Sequence, residues 1–292
     1  MGFFKRLFSG TGGGLGLDEL ARRLEVSEND LKNVRPDYRE FHIPKRGGGT
    51  RTIHAPDRAL KALQRRLVRR VLSRLRVHPC VTGFEPGYSI VSNAACHVGK
   101  AVLVRMDIRD FFGSTTAERV RRYFRFIGWD REASQILETI CCHQGGLPQG
   151  APTSPKLSNL VNYIVDERLS RLAEKCGAAY TRYADDLTFS FADDDRAAVH
   201  HVIRGTKSIL AGCGYRLHQK KKLRIRRQHQ RQIVTGLVTN RRVAIPRERR
   251  RFLRAVEHRL RHGMPASLSE AQLQGWKSFV SMVERQREAM GR

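Results

Sequence analysis

Two aspartates stand side by side at 185 and 186, inside the run Tyr-Thr-Arg-Tyr-Ala-Asp-Asp-Leu-Thr-Phe-Ser-Phe that spans 180–191. Tyr183, Leu187, Thr188, Phe189 and Phe191 favour extended backbone, so the run is expected to form a strand or hairpin. Adjacent carboxylates in such a run repel each other and are costly to desolvate. The fold must therefore bring them to a place where a metal ion, a lysine or water at a turn can neutralise them.

A second acidic strand end lies upstream. Lys100–Phe112, KAVLVRMDIRDFF, reads as a buried strand that ends in Asp107 and Asp110. Strand ends distant in sequence can meet at one sheet edge. Three convergent carboxylates suit Mg²⁺, which prefers oxygen ligands supplied by a few carboxylates and by substrate phosphates. Two such ions about 4 Å apart would activate a 3′-hydroxyl and stabilise leaving pyrophosphate. An isolated acidic pair is ordinarily a solvated turn. Asp193, Asp194 and Asp195 are read that way, as a loop and the N-cap of the next helix.

Between these points the chain alternates helix and strand without regular βαβ order. Leucines at 17, 20, 24 and 31 predict one helix over 17–34, and residues 38–56 read as a hairpin around Lys45-Arg46-Gly-Gly-Gly. Helices are expected at 59–75, 115–141, 155–176, 196–212 and 270–288, with a strand at 214–225. The class implied is α+β.

Charge narrows the partners. The 292 residues hold 55 Lys and Arg against 28 Asp and Glu, a net +27, while 40% hydrophobic content supports a core of one large or two modest domains. Such an excess repels itself unless a polyanion offsets it, and nucleic acid recovers free energy through counterion release. A membrane surface is the competing partner, but no apolar run approaches the ~20 residues of a span. The basic, aromatic start lacks the features of a secretory signal, and the six cysteines show no CxxC spacing, so reduced thiols and a cytoplasmic location are expected.

Four stretches in order resemble the reverse transcriptases over roughly 17–285. Tyr183-Ala-Asp-Asp186 resembles their YxDD box, and Met106–Phe112 is similar to the strand carrying their first catalytic aspartate. Leu147–Asn159, LPQGAPTSPKLSN, resembles their nucleotide-pocket loop, and Ile43–Pro56 their fingers hairpin. Asn93-Ala-Ala-Cys-His97 and Val234-Thr235-Gly236 resemble the NAxxH and VTG boxes of the retron branch. The resemblance implies a right-hand polymerase, with an N-terminal arm over 1–16, fingers and N-terminal helices over 17–100 and a thumb over 236–292. The palm, an antiparallel sheet packed on helices, would cover 101–235, with fingers-derived helices within 113–145.

It also implies roles. Asp107, Asp185 and Asp186 would hold two Mg²⁺ ions (Mn²⁺ can substitute), with the Ile108 carbonyl nearby and Asp186 the least directly engaged. Lys45, Arg46, Arg51, Asp110, Phe111, Gln149 and Lys220 or Lys221 would meet the incoming dNTP, and Phe112 would block a ribose 2′-hydroxyl. Core packing competes for Phe112, because alternation along a strand sends one of two adjacent phenylalanines inward. Tyr183, Asn93, His97, Val234, Thr235 and Gly236, with Arg247, Arg250, Arg251 and Arg254, would hold primer and RNA. The implied function is reverse transcription of a cognate noncoding RNA of msr–msd type from a guanosine 2′-hydroxyl, giving branched msDNA. Implied partners are the RNA–DNA duplex, dNTPs, an effector protein in antiphage defence and host RNase H. Other bacterial reverse transcriptases, and an RNA-binding protein on an inactive polymerase scaffold, are the alternatives.

Overall fold

The computed structural model describes residues 14–45, 48–218 and 223–290. Arg46, Lys220, Lys221 and most of the expected arm lie outside the described residues. The chain divides into two units, Met1–His78 with Arg109–Glu167, and Pro79–Ile108 with Arg168–Arg292.

The first unit is mainly helical. In α1 (Leu17–Leu24) the residues Leu17, Leu20, Ala21 and Leu24 recur at helical spacing, and all are buried. The single helix expected over 17–34 is two. Glu25 turns left-handed at φ 55° with its N–H on the Ala21 carbonyl, and Ser27 then caps α2 (Glu28–Lys32) by accepting from Asp30 N. The hairpin is as expected: β1 (Tyr38–Pro44) pairs antiparallel with β2 (Thr50–Pro56), Pro44 opposite Thr50. Helix α3 (Arg58–Leu67), capped by Asp57, runs into a π-helical turn at Val68–Leu72.

The helices expected at 115–141 and 155–176 are likewise divided. Asp130 caps α6 (Arg131–Cys141) after α5 (Ala117–Phe126) has ended. Asn162, whose amide donates to the Ser158 carbonyl at 2.8 Å, separates α7 (Ser154–Val161) from α8 (Tyr163–Lys175). Capping side chains compete with helix continuation at these points. Leu20, Leu24, Leu67, Leu72, Phe124 and Leu137 form a solvent-free core.

In the second unit, β3 (Val102–Asp107), β4 (Ala178–Tyr183), β5 (Asp186–Phe191) and β6 (Arg224–Arg227) form an antiparallel sheet in the order β4–β5–β3–β6. Leu187 through Phe191 are all buried, which is why polar Thr188 and Ser190 alternate with Phe189 and Phe191 without marking a solvent face. The strand expected over 100–112 stops at Asp107, and only Arg224–Arg227 and a bridge from Leu217 to Ile108 represent that expected over 214–225. The unit also holds α4 (Ile90–Ala95), α9 (Arg196–Gly212), the hairpin of β7 (Ile233–Val234) and β8 (Leu237–Val238), α10 (Arg247–Arg261) and α11 (Glu270–Met290). Asp195 caps α9, as the sequence predicts. Helices mixed with antiparallel strands make the class α+β, and no described helix is long and apolar enough to cross a membrane.

Candidate active site

Asp107, the last residue of β3, lies directly opposite Asp186, the first residue of β5. Tyr183 lies opposite Asp186 on the other side, so Ala184 and Asp185 form the two-residue connection between β4 and β5. Residues directly opposite in a sheet share a face, which places Asp107, Tyr183 and Asp186 on one side. Two bonds to backbone carbonyls fix the turn: Ile108 N donates to Asp185 O at 2.9 Å, and the Arg182 side chain donates through Nη1 to Ala184 O at 3.1 Å. Ala184 is left-handed at φ 56°, which costs a non-glycine residue about 1 kcal/mol. Gly83 presses on the same turn, where a Cβ would come within 2.6 Å of Ala184 N, so that approach requires glycine.

An arginine is one neutralising partner. Arg105, two residues before Asp107 and hence on the same face, donates through Nη2 to Asp186 Oδ1 at 3.0 Å. Its side chain is 20% exposed and that of Asp186 31%, so water screens the pair only in part. His218 Nε2 stands 3.4 Å from Asp107 Oδ1, and its backbone N–H donates to Asp107 O at 2.9 Å. Among the described residues no group of three or more His, Cys, Asp or Glu side chains is placed to hold a metal ion. The donor type nevertheless fits Mg²⁺, since Asp107, Asp185 and Asp186 stand at one sheet end and carry hard carboxylate oxygens, and Mg²⁺ commonly completes its shell with water and phosphate. Asp110 does not join them on β3. It is exposed at φ 46° in the turn beyond the strand.

The NAxxH and VTG stretches prove to be parts of one internal brace. Asn93 and His97 are buried, and Asn93 Oδ1 accepts from Thr82 Oγ1 at 2.8 Å while Thr82 N donates to Arg182 O at 3.0 Å. His97 spans the hairpin: Nδ1 is 2.7 Å from Ser190 Oγ on β5, and Nε2 is 2.8 Å from Thr181 Oγ1 on β4. Thr235 and Gly236, at φ 46° and 86°, make the tight turn between β7 and β8, with Val234 opposite Leu237. Thr235 Oγ1 donates to Ile90 O at 2.8 Å, at the start of the Asn93 helix. Val91, Ala94, Leu103, Val234 and Leu237 fill the space between. The family resemblance places these boxes at the RNA; in the fold Asn93 and His97 are buried. His97 bonds the strands that carry Tyr183 and Asp186, and Asn93 reaches β4 through Thr82.

Within the first unit, two loops meet. His54 N donates to Gln149 O at 2.8 Å, and a Cβ on Gly150 would lie 2.7 Å from His54 O. The Gln149 loop is thus docked on β2, whose exposed Arg51 stands opposite Ile43; Lys45 N bonds Gly49 O at 2.9 Å across the hairpin tip. The same loop reaches the Phe111–Phe112 turn, where Leu147 N donates to Thr115 O at 3.2 Å. Phe111 is buried and Phe112 half-buried against the helical core.

Comparison with known proteins gives the family. Residues 43–237 match the family model for reverse transcriptases, RNA-dependent DNA polymerases. The chain is 37% identical to the retron Mx65 reverse transcriptase of Myxococcus xanthus, over 91% of this chain and 68% of that protein. It is 36% identical to the retron Ec86 enzyme of Escherichia coli, over 85% of this chain and 77% of that protein. The chain belongs to the retron reverse transcriptases. A second Myxococcus xanthus relative, the retron Mx162 enzyme, is 36% identical over 91% of this chain, which spans 64% of its length.

This reverse transcriptase carries a dense run of positive charge on α10. Arg247, Arg250, Arg251 and Arg254 are exposed along one helical face, and Arg247, Arg250 and Arg254 line a groove with Lys277, Glu257 and Glu284. Arg249 lies elsewhere, its guanidinium 4.5 Å from the Trp276 ring centre. Sequence reading did not single out Arg105, Gly83 or Thr82. Alternation along β3 could have found Arg105, whereas nothing local to residues 82 and 83 announces a contact made a hundred positions later.

The brace has a measurable consequence. Burial holds His97 neutral, its pKa lowered to about 3 from an ordinary 6.5. The unfolded chain binds a proton there below about pH 6.5 and the folded one does not, so stability falls as pH drops from 6.5 toward 3. At pH 4.5 this group alone should remove about 2–3 kcal/mol relative to pH 7.5. His97→Gln keeps a donor and an acceptor without titrating. Its urea-unfolding free energy should change less between those pH values than that of the wild type, and equal changes would contradict the assignment.

Proposed function

We propose that this retron reverse transcriptase copies a cognate structured noncoding RNA into DNA from a guanosine 2′-hydroxyl, leaving a branched RNA–DNA product. The observation that carries the reading is the Asp107–Asp186 pair with Asp185 on the adjoining turn, in a chain of this family. Asp107 and Asp185, with the Ile108 carbonyl and a lesser share from Asp186, would hold two Mg²⁺ ions, which Mn²⁺ can replace. Bound there, the ions would supply charge stabilisation and lower the pKa of the attacking hydroxyl. Arg105 accounts for the lesser share of Asp186, because it already engages one carboxylate oxygen.

In this reading the hairpin of β1 and β2 belongs to the fingers, the four-stranded sheet to the palm, and α10 and α11 to the thumb. Tyr183, beside the carboxylates, packs on the primer terminus. Lys45, Arg51, Asp110, Phe111 and Gln149 meet the dNTP, and Phe112 excludes the ribose 2′-hydroxyl. The α10 face suits duplex RNA or an RNA–DNA hybrid, whose phosphates and 2′-hydroxyls are met across a shallow groove. Action with an effector protein in antiphage defence, with host RNase H trimming the template, is supported by the family resemblance.

Incubating the protein with RNA transcribed from the sequence flanking its gene, dNTPs and Mg²⁺ tests this reading. The expected product is DNA that stays attached to RNA through denaturing electrophoresis, and a 2′-deoxyguanosine at the priming position should abolish it. Free, unattached DNA would overturn 2′-priming. Separately, neutralising Arg250, Arg251 and Arg254 to Gln should weaken RNA binding and lower the slope of log K against log salt by about 2–3. An unchanged slope would remove α10 from the RNA interface.

A further inference from the structure

On the face of the sheet that carries Asp107 and Asp186, β6 contributes two exposed arginines. Arg226 lies opposite Leu103, and Arg224 opposite Arg105. With Arg231 they surround a pocket of about 190 Å³ floored by Leu103 and Ile233 and reached by Arg105. The nearby carboxylates are already engaged: Asp186 holds Arg105, and Glu248 holds Arg231. Among the described residues no acid pairs with Arg224 or Arg226. Four guanidiniums against two carboxylates leave the pocket an uncompensated charge of about +2.

We propose that this pocket seats a backbone phosphate of the nucleic-acid strand whose end is placed at Asp107 and Asp186. Guanidinium forks match phosphate oxygens, and Arg224 and Arg226 are exposed at the pocket. Spacing supports a strand in place of a free ion. Arg105 is two residues from Asp107 along β3, about 7 Å at the usual rise of a strand. A nucleic-acid strand covers that in about two nucleotides at ~3.4 Å per step. A strand ending at the carboxylates would therefore carry a phosphate over the pocket. The hydrophobic floor leaves the arginines as the only polar attraction among the lining residues apart from Gln230, which suits a group defined by charge and not by base.

The inference rests on the polymerase reading above, and the experiment separates the two. The variant Arg224→Gln/Arg226→Gln changes exposed side chains on an edge strand, so its fold is checked by thermal melting against wild type. Affinity for an annealed RNA template–DNA primer, measured over a salt series, should fall about tenfold. The slope of log K against log salt should become shallower by about 1–2. At saturating duplex kcat should be kept, and the KM for dNTP and inhibition by inorganic pyrophosphate should match wild type. An unchanged salt slope overturns the proposal. So does a changed dNTP KM or pyrophosphate inhibition with unaltered duplex binding, since the pocket would then serve free phosphate groups. Wild-type protein that binds duplex but extends no primer would refute the polymerase reading while leaving the binding comparison intact.

Discussion

Asp185→Asn will lower primer extension in Mg²⁺ by at least ~10²-fold, about 2.7 kcal/mol of barrier, while RNA binding persists. Asparagine keeps the size of the side chain, and the Asp185 backbone carbonyl still accepts from Ile108 N. What the substitution removes is a negative charge and a hard oxygen ligand. Asp107→Asn should behave alike, since its backbone carbonyl still accepts from His218 N. Asp186→Asn should cost less activity than either, because Arg105 shares that carboxylate in the folded protein. Rapid-quench measurement of single-nucleotide incorporation decides the order. Near-wild-type incorporation by Asp185→Asn would falsify the metal assignment, and a largest loss at Asp186 would reverse the division of roles.

The second large effect separates two adjacent rings. Phe111 is 5% exposed, so Phe111→Ala should destabilise the protein by about 3–5 kcal/mol through the cavity it leaves. Phe112 packs on the same core from a half-buried position, and its ring centre is 5.7 Å from that of Phe111. Phe112→Ala should therefore cost less, about 1–3 kcal/mol. If Phe112 screens the sugar, the same variant should raise rNTP incorporation relative to dNTP by about tenfold or more, the scale on which removal of a steric barrier alters discrimination. Melting and rNTP incorporation measured on one preparation give the answer. A folded Phe112→Ala protein with wild-type sugar preference rejects the gate.

What the sequence determined follows from chemistry that is local and costly to misplace. Adjacent carboxylates in an aromatic run demand a turn, and Asp185 stands on one while Asp186 opens the strand beyond it. Hydrophobic periodicity located α1, α9 and α11, and glycines at 48 and 49, with φ of 88° and 78°, made the first hairpin legible. Helix interruptions were less legible, because Ser27, Asp130 and Asn162 act by capping within an otherwise continuous apolar pattern. The order of the two phenylalanines was undecided for a related reason: residues 110–115 form a turn, where the alternation of a strand does not apply.

Tertiary structure alone decided who neutralises whom. Arg105 meets Asp186 because antiparallel register sets β3 against β5, an 81-residue separation that no local pattern encodes. Asn93, His97 and Thr235 likewise find their partners elsewhere in the chain, in Thr82, in Ser190 and Thr181, and in the Ile90 carbonyl. A buried polar group must find its hydrogen-bond partner within the protein, and only the packed chain shows which partner that is.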